Sequence, residues 1–322
     1  MKAIVQYKYG SPDVLEIKNI DKPVAKDNEV LIRVRAASVN AADWHILRGI
    51  PFIMRMTLGL LKPKSIVRGG DVAGQVEAVG KDAKQFRPGD EVYAEVGTGS
   101  FAEYTCVSED SVELKPTNLT PEHAASVPLA ANTALQGLRD RGQLQPGQKV
   151  LINGASGGVG TFAVQIAKSF GADVTGVCST RKVEMVRSIG ADEVIDYTQE
   201  DFTKTGQRYD LIFDLAANRR LSDYRRALSP KGTLVLSGGQ GGRWLGPIGL
   251  IIKAVGLSPF VRQRLRPLVA KPSKENLVVL KELIESGKVT PIIDRTYSLS
   301  EAPEAIRYLE EGHAQGKVVI TV

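Results

Sequence analysis

Over roughly the first third of the chain, apolar and polar residues alternate with the two-residue period of half-buried strands. "VLIRVRA" (30–36) puts Val30, Ile32, Val34 and Ala36 on one face and Arg33 and Arg35 on the other. "DVAGQVEAVG" and "DEVYAEV" have the length of short strands and are closed by the turns "RPGD" and "GTGS". No helical period of useful length precedes Thr120. There "TPEHAASVPLAANTALQGLRD" opens with a threonine N-cap and with Pro121 at the first helical position. Beyond residue 147 the rhythm changes. "QKVLIN", "DVTGVC", "DEVID", "YDLIFDL" and "GTLVLSG" are apolar runs of strand length, separated by helical patterns at about 158–170, 181–189 and 219–228. That alternation predicts an α/β chain with a parallel, doubly wound sheet. The end returns to helix ("KENLVVLKELIESG") and closes on a strand, "GKVVITV".

Composition narrows the class. Hydrophobic residues at 43% and charged residues at 24% are ordinary globular values, and 322 residues give room for two domains. The 42 basic and 36 acidic residues leave a net charge of +6, with an isoelectric point near 9.2. This permits an anionic partner. The cations are dispersed, however, and the clusters at 219–226 and 262–266 lack interleaved aromatics, which argues against a nucleic-acid groove. Two distant cysteines, Cys106 and Cys178, make no disulfide framework and point to a reducing compartment. "MKAIVQYKYG" alternates like a strand and has no apolar secretion core, so the expected location is the cytoplasm. The longest apolar stretch, 244–260, is broken by Lys253, Pro247, Pro259 and three glycines, which leaves it too interrupted to span a bilayer.

The candidate chemistry begins at "LINGASGGVG" (151–160). In the dinucleotide fingerprint G-x-G-x-x-G, Gly157 and Gly160 keep the spacing, while Ala155 stands where the first glycine belongs. The context of strand, loop, helix and second strand within about thirty residues favours a dinucleotide site. Ala155 is tolerable if its φ is negative. Gly157 lets backbone approach a pyrophosphate, and Gly160 allows close helix–strand packing. Ala155, Ser156, Gly157, Gly158 and Val159 are the loop candidates, with unpaired N–H groups and the dipole of the following helix facing the anion. The second strand ends "GVCSTRK". Ser179, Thr180, Arg181 and Lys182 offer hydroxyls and two cations, with no carboxylate expected in reach to hold a ribose 2′-OH. The expected cofactor is NADPH.

With these elements in place, "SVNAADWHILRG" (38–49), "GGDVAGQVEAVG" (69–80), "RPGDEVYAEVGTGSFAEY" (87–104), "NGASGGVG", "VIDY" (194–197) and "GKVVITV" resemble the medium-chain dehydrogenase/reductase superfamily. Over essentially the whole chain the likeness is to its zinc-independent branch of quinone oxidoreductases and zeta-crystallin. The resemblance implies a GroES-like β-rich catalytic domain at 1–124 and again at 266–322. An inserted Rossmann NADP-binding domain occupies 125–265. Zinc alcohol dehydrogenases of the superfamily carry Cys, His and Cys where this chain has Asn40, Gly70 and about Ala130, so the expectation is no metal site. By the same resemblance Asn40 and Asp43 order the nicotinamide side of a cleft, and Thr133 lies against the ring. Lys182 and Tyr197 lean on the adenosine phosphate, Ser237 and Gly238 lie beneath the nicotinamide, and Lys317 reaches toward the cofactor. Quinone oxidoreductases tend to carry tyrosine where this chain has His45. Its imidazole is a candidate donor to a substrate carbonyl, or else faces solvent. Asp43 is equally readable as a loop cap.

The expected activity is NADPH-dependent reduction of α,β-unsaturated carbonyls or quinones by hydride transfer, with a small lipophilic substrate. Two alternatives stay open: NADP-dependent alcohol/carbonyl interconversion, and a cofactor-binding redox sensor without turnover. Two apolar loops, 50–61 and 244–252, would flank the cleft as core, dimer interface, or a lipophilic mouth that touches a membrane surface.

Overall fold

The alternation read at 30–36 becomes the long strand Glu29–Val39, in which Ile32, Val34 and Ala36 are buried and Arg33 and Arg35 exposed. The computed structural model describes residues 1–238 and 248–322. Its contacts divide the chain into two units. The first comprises Met1–Asn132, Pro272–Gly287 and Pro291–Val322; the second comprises Thr133–Lys271 and Lys288–Thr290. The expected boundary at 265/266 therefore falls inside the strand Arg264–Pro267, which is hydrogen-bonded to Leu228–Leu236 as the last strand of the second unit's sheet.

In the first unit a seven-stranded sheet runs Ile293–Ser298, Lys317–Thr321, Glu29–Val39, Asp71–Val79, Glu91–Glu95 and Val112–Leu114, with Tyr104–Ser108 also pairing with Glu29–Val39. Pairing is antiparallel except between Ile293–Ser298 and Lys317–Thr321. The register sets Ser38 opposite Asp71 and Asp71 opposite Glu95, so a polar row crosses three strands. Val30, Ile32, Val72, Val92 and Val112 fill one core, and Ile4, Leu47, Phe101, Ile306 and Ile320 another. Each such fully buried aliphatic contributes about 1.5–3 kcal/mol.

Helix begins well before Thr120. Ala41–Arg48 is helical, a correction to the sequence reading. Two turns bury only Asp43 and Leu47, too few positions for a period to show. Its ends carry the signal instead. The Asp43 carboxylate accepts the Asn40 N–H at 2.7 Å, and Gly49 closes the helix at φ 60°. The helix expected from Thr120 is broken by Pro128 into Pro121–Ala125 and Pro128–Leu135, followed by a π-helical turn.

In the second unit six parallel strands run Glu193–Asp196, Asp173–Cys178, Lys149–Asn153, Tyr209–Asp214, Leu228–Leu236 and Arg264–Pro267. Taken in chain order this is the 3-2-1-4-5-6 doubly wound arrangement, whose order reverses at Lys149–Asn153. Leu151, Ile212, Leu234, Phe202 and Tyr224 form the core on one side of it. The apolar segment read as a loop at 244–252 is helical from Ile248 to Leu257, and Leu250 and Leu257 pack on that core because its spacing is helical. Positions 244–247 lie outside the described residues.

Candidate functional site

In the second unit the strand Lys149–Asn153 runs into the glycine loop at the point of reversal. The left-handed turn falls on Gly154, at φ +91°. Among the described residues only Gln143 and Ala217 combine a side chain with positive φ, so Ala155 keeps an ordinary backbone and meets its condition. Gly154 and Ala155 both donate to Val177 O, at 3.1 and 3.0 Å, tying the loop to the next strand. A Cβ on Gly160 would lie 2.1 Å from Gly154 O, so this glycine is required by packing alone. Gly157 differs. A Cβ there would meet nothing nearer than Gly154 O at 3.6 Å, an ordinary contact. The protein leaves that space open, as an approaching pyrophosphate needs. Gly158, Val159 and Gly160 open the helix Gly158–Ser169, and among the described residues their amides meet no backbone acceptor. These residues fit the phosphates of a dinucleotide. Ser156 is buried.

Asp214, which the sequence reading passed over, holds the adjoining strand ends. Its Oδ1 accepts Asn153 Nδ2 at 2.8 Å and the amides of Ala216 and Ala217 at 3.3 and 3.1 Å. Ala217 thereby keeps φ 47°, a costly conformation without such support. Ser237 N donates to Asp214 O at 2.9 Å, and Gly238 turns at φ +122° against Leu215 O. Thus Gly154, Ala216, Ser237 and Gly238 are brought together at one end of the sheet. Thr133 is buried in the helix Pro128–Leu135.

At the end of the second strand the structure corrects an expectation. No carboxylate stands in "CSTRK", but Asp196 arrives from the neighbouring strand, in register with Cys178. Thr180 Oγ1 donates to Asp196 Oδ2 at 2.6 Å, and Thr198 Oγ1 to Asp196 Oδ1 at 2.8 Å. These bonds, Thr180's first, hold Asp196 below the usual carboxylate range. Thr180 therefore has no proton left for a phosphate. Ser179 and Lys182 are half-buried, and Arg181 and Tyr197 exposed.

In the first unit Asn40, Asp43, Asp71 and Lys317 form a buried polar cluster, with half-buried Glu95 on the strand next to Asp71. Asn40 Oδ1 accepts Lys317 Nζ at 2.5 Å, while its Nδ2 donates to Asp71 Oδ2 at 2.8 Å. Ser38 Oγ and Leu129 N also donate to Asp71, at 2.9 and 3.0 Å, and Lys317 Nζ lies 3.6 Å from it. Four donors match an ionised carboxylate, although burial pushes Asp71 up and Lys317 down. Lys317 is 2% exposed, so its ammonium is spent on Asn40 and Asp71. Burial lifts Asp43 to about 7 and Glu95 to about 7, with the Asp71 charge adding to both. Glu95 accepts Asn132 Nδ2 at 3.4 Å, and Asn132 accepts Asn276 Nδ2 at 2.7 Å.

His45 sits one turn along the helix from Asn40, stacked on Trp44 at 3.6 Å between ring centroids. Its Nδ1 lies 3.0 Å from Ile50 O. A carbonyl only accepts, so Nδ1 carries the proton. Burial also depresses the imidazole's pKa. The neutral ring then presents a lone pair at Nε2.

A doubly wound sheet with a glycine loop at its reversal and a separate β-rich unit define a dinucleotide-dependent oxidoreductase. The alcohol dehydrogenase GroES-like domain family matches residues 26–117, and the zinc-binding dehydrogenase family matches residues 189–320. The chain is 34% identical to the chloroplast envelope quinone oxidoreductase homolog of Arabidopsis thaliana, over 99% of this chain and 98% of that protein. It is 37% identical to the chloroplastic NADPH-dependent alkenal/one oxidoreductase of the same plant, over 99% of this chain and 79% of that one. The solved quinone oxidoreductase from Coxiella burnetii superposes with a TM-score of 0.86 at 31% identity, covering 100% of this chain and 99% of the other. The chain belongs to the medium-chain dehydrogenase/reductase superfamily, in its quinone oxidoreductase branch, and is an oxidoreductase that uses a nicotinamide cofactor.

The residues do not fit the zinc of one family's description. Asn40 is committed to Lys317 and Asp71, Gly70 has no side chain, and Ala130 offers a buried methyl. Among the described residues no three His, Cys, Asp or Glu side chains converge as ligands.

Proposed function

We propose that this protein is a metal-independent, NADPH-dependent reductase of α,β-unsaturated carbonyls or quinones, with the cofactor held by the second unit. The observation that carries this reading is the open space at Gly157 beside the helix amides, in a chain whose relatives are named for quinones and alkenals. Bound there, a reduced nicotinamide supplies hydride. The Gly158–Gly160 amides hold the pyrophosphate. Arg181 and Lys182 take the 2′-phosphate with Ser179, while Thr180 orders their turn through Asp196. Tyr197 covers the adenosine end, and Thr133, Ser237 and Gly238 border the nicotinamide.

On the first unit, Lys317 and Asp71 fix the Asn40 amide from both of its ends, which orders the start of the helix carrying Asp43 and His45. Asp43 acts as the helix cap rather than as a proton carrier. Neutral His45 accepts at Nε2, so the proton taken up by the reduced substrate comes from water. NADPH oxidation followed with an enone, a quinone and a saturated ketone, and NADP+ reduction followed with an alcohol, test the reading. Turnover with the first two supports it, and turnover with only a ketone or alcohol overturns it.

A further inference from the structure

The segment after the helix Ala41–Arg48 is held firmly from inside and apolar outside. Tyr9 Oη donates to Gly59 O at 2.6 Å, and Arg55 Nε donates to Gly49 O at 2.9 Å. The Arg55 guanidinium lies 4.4 Å from the Tyr9 ring centroid and 4.7 Å from that of Phe52. With its polar groups used in this way, the segment turns outward Ile53, Met56, Leu60 and Leu61, at 47%, 72%, 70% and 92% exposure. Neighbouring large apolar side chains this open mark a contact surface.

The charges around them say what it contacts. From Trp44 to Gly70 the chain has no aspartate or glutamate, but five cations. Arg48 is paired with Glu310, Arg55 lies between two rings, and Arg68 is buried. Lys62 and Lys64 remain exposed, directly after Leu60 and Leu61, and join no ion pair among the described residues. A second copy seated on this face across a two-fold axis would bring these lysines against their own copies. Apolar side chains beside unopposed cations instead match an anionic lipid surface, where the former enter the acyl boundary and the latter meet the headgroups. No helix among the described residues is long and apolar enough to cross a membrane.

We propose that residues 53–64 dock this protein onto anionic lipid membranes, with Leu60 and Leu61 inserted and Lys62 and Lys64 on the headgroups. Co-sedimentation of the full chain with vesicles tests this, comparing phosphatidylcholine alone with phosphatidylcholine mixed with phosphatidylserine. Binding is expected to the mixed vesicles, roughly tenfold stronger than to the neutral ones, and is released as salt screens the lysines. Leu60→Ser with Leu61→Ser, and separately Lys62→Gln with Lys64→Gln, should each weaken it about tenfold or more. Thermal unfolding shows that each variant is folded, and should one not be, the salt titration of the unaltered chain still decides. Equal binding to both vesicles, binding to neither, or full binding by both folded variants overturns the proposal. So does a dimer in sedimentation equilibrium that Leu60→Ser with Leu61→Ser dissolves. No turnover enters the measurement, so it stands or falls apart from the reductase reading.

Discussion

Thr180 donates its hydroxyl proton to Asp196 at 2.6 Å, across the ends of two neighbouring parallel strands. This bond puts a negative charge beside the turn Thr180–Lys182, whose cations are Arg181 and Lys182. Replacing both cations with alanine should raise KM for NADPH at least tenfold and leave KM for NADH nearly unchanged, since charge-assisted contacts contribute about 1.5–3 kcal/mol each. Asp196→Asn should act oppositely and lower KM for NADPH about fivefold by removing a like charge. Steady-state kinetics with both cofactors checks the pair of outcomes.

Gly157 and Gly160 separate ligand space from packing space. Gly157→Ala should unfold at the same temperature as the unaltered protein but bind NADPH at least about tenfold more weakly, because only the ligand meets the new methyl. Gly160→Ala should lower the unfolding temperature as well, since its Cβ would fall on Gly154 O. Calorimetry and fluorescence titration read the two effects separately.

His45, readable from sequence as a carbonyl donor or a solvent-facing ring, turns its Nδ1 to Ile50 O. With Nδ1 donating to Ile50 O, His45→Ala should lower kcat by less than about tenfold, not by the ~10²–10³-fold of a lost oxyanion donor. The kcat profile should show no loss above pH 6.5 attributable to imidazolium. A hundredfold fall in kcat for His45→Ala would make the ring the donor after all.

Two carboxylates lifted by burial set a stability profile. Glu95 and Asp43 keep their protons in the fold up to about 7, whereas the unfolded chain releases them near 4.5 and 3.8. Between those limits the native state binds more protons, so stability falls as pH rises from about 4 to about 7. Glu95→Gln, which still accepts from Asn132, should flatten this slope in urea unfolding series taken across the range. His45 contributes in the other direction. Its depressed pKa costs stability as pH drops below 6.5, and the difference between variant and parent cancels that contribution.

What could be read in advance was what the chain encodes locally. The strand alternation at 30–36, the spacing of Gly157 and Gly160, and the parallel sheet implied by alternating runs all act over a few residues. The helix Ala41–Arg48 escaped because eight residues hold two buried positions, although Asn40 and Asp43 form a capping pair at the right spacing. The polar cluster escaped for a different reason. Lys317 and Asn40 stand 277 positions apart, and only the sheet register brings them together. Asp196 is the same case on a shorter scale, a carboxylate absent from one strand and delivered by its neighbour.

The most direct test of the reductase reading follows the hydride itself. NADPH deuterated at C4 of the nicotinamide, on the transferred face, is turned over with an enone, and the product is analysed by NMR. The expected product is a saturated ketone with deuterium on the β carbon and solvent hydrogen on the α carbon. Deuterium on the carbonyl carbon of an allylic alcohol would contradict it, because the hydride would then have gone to the carbonyl and not to the double bond.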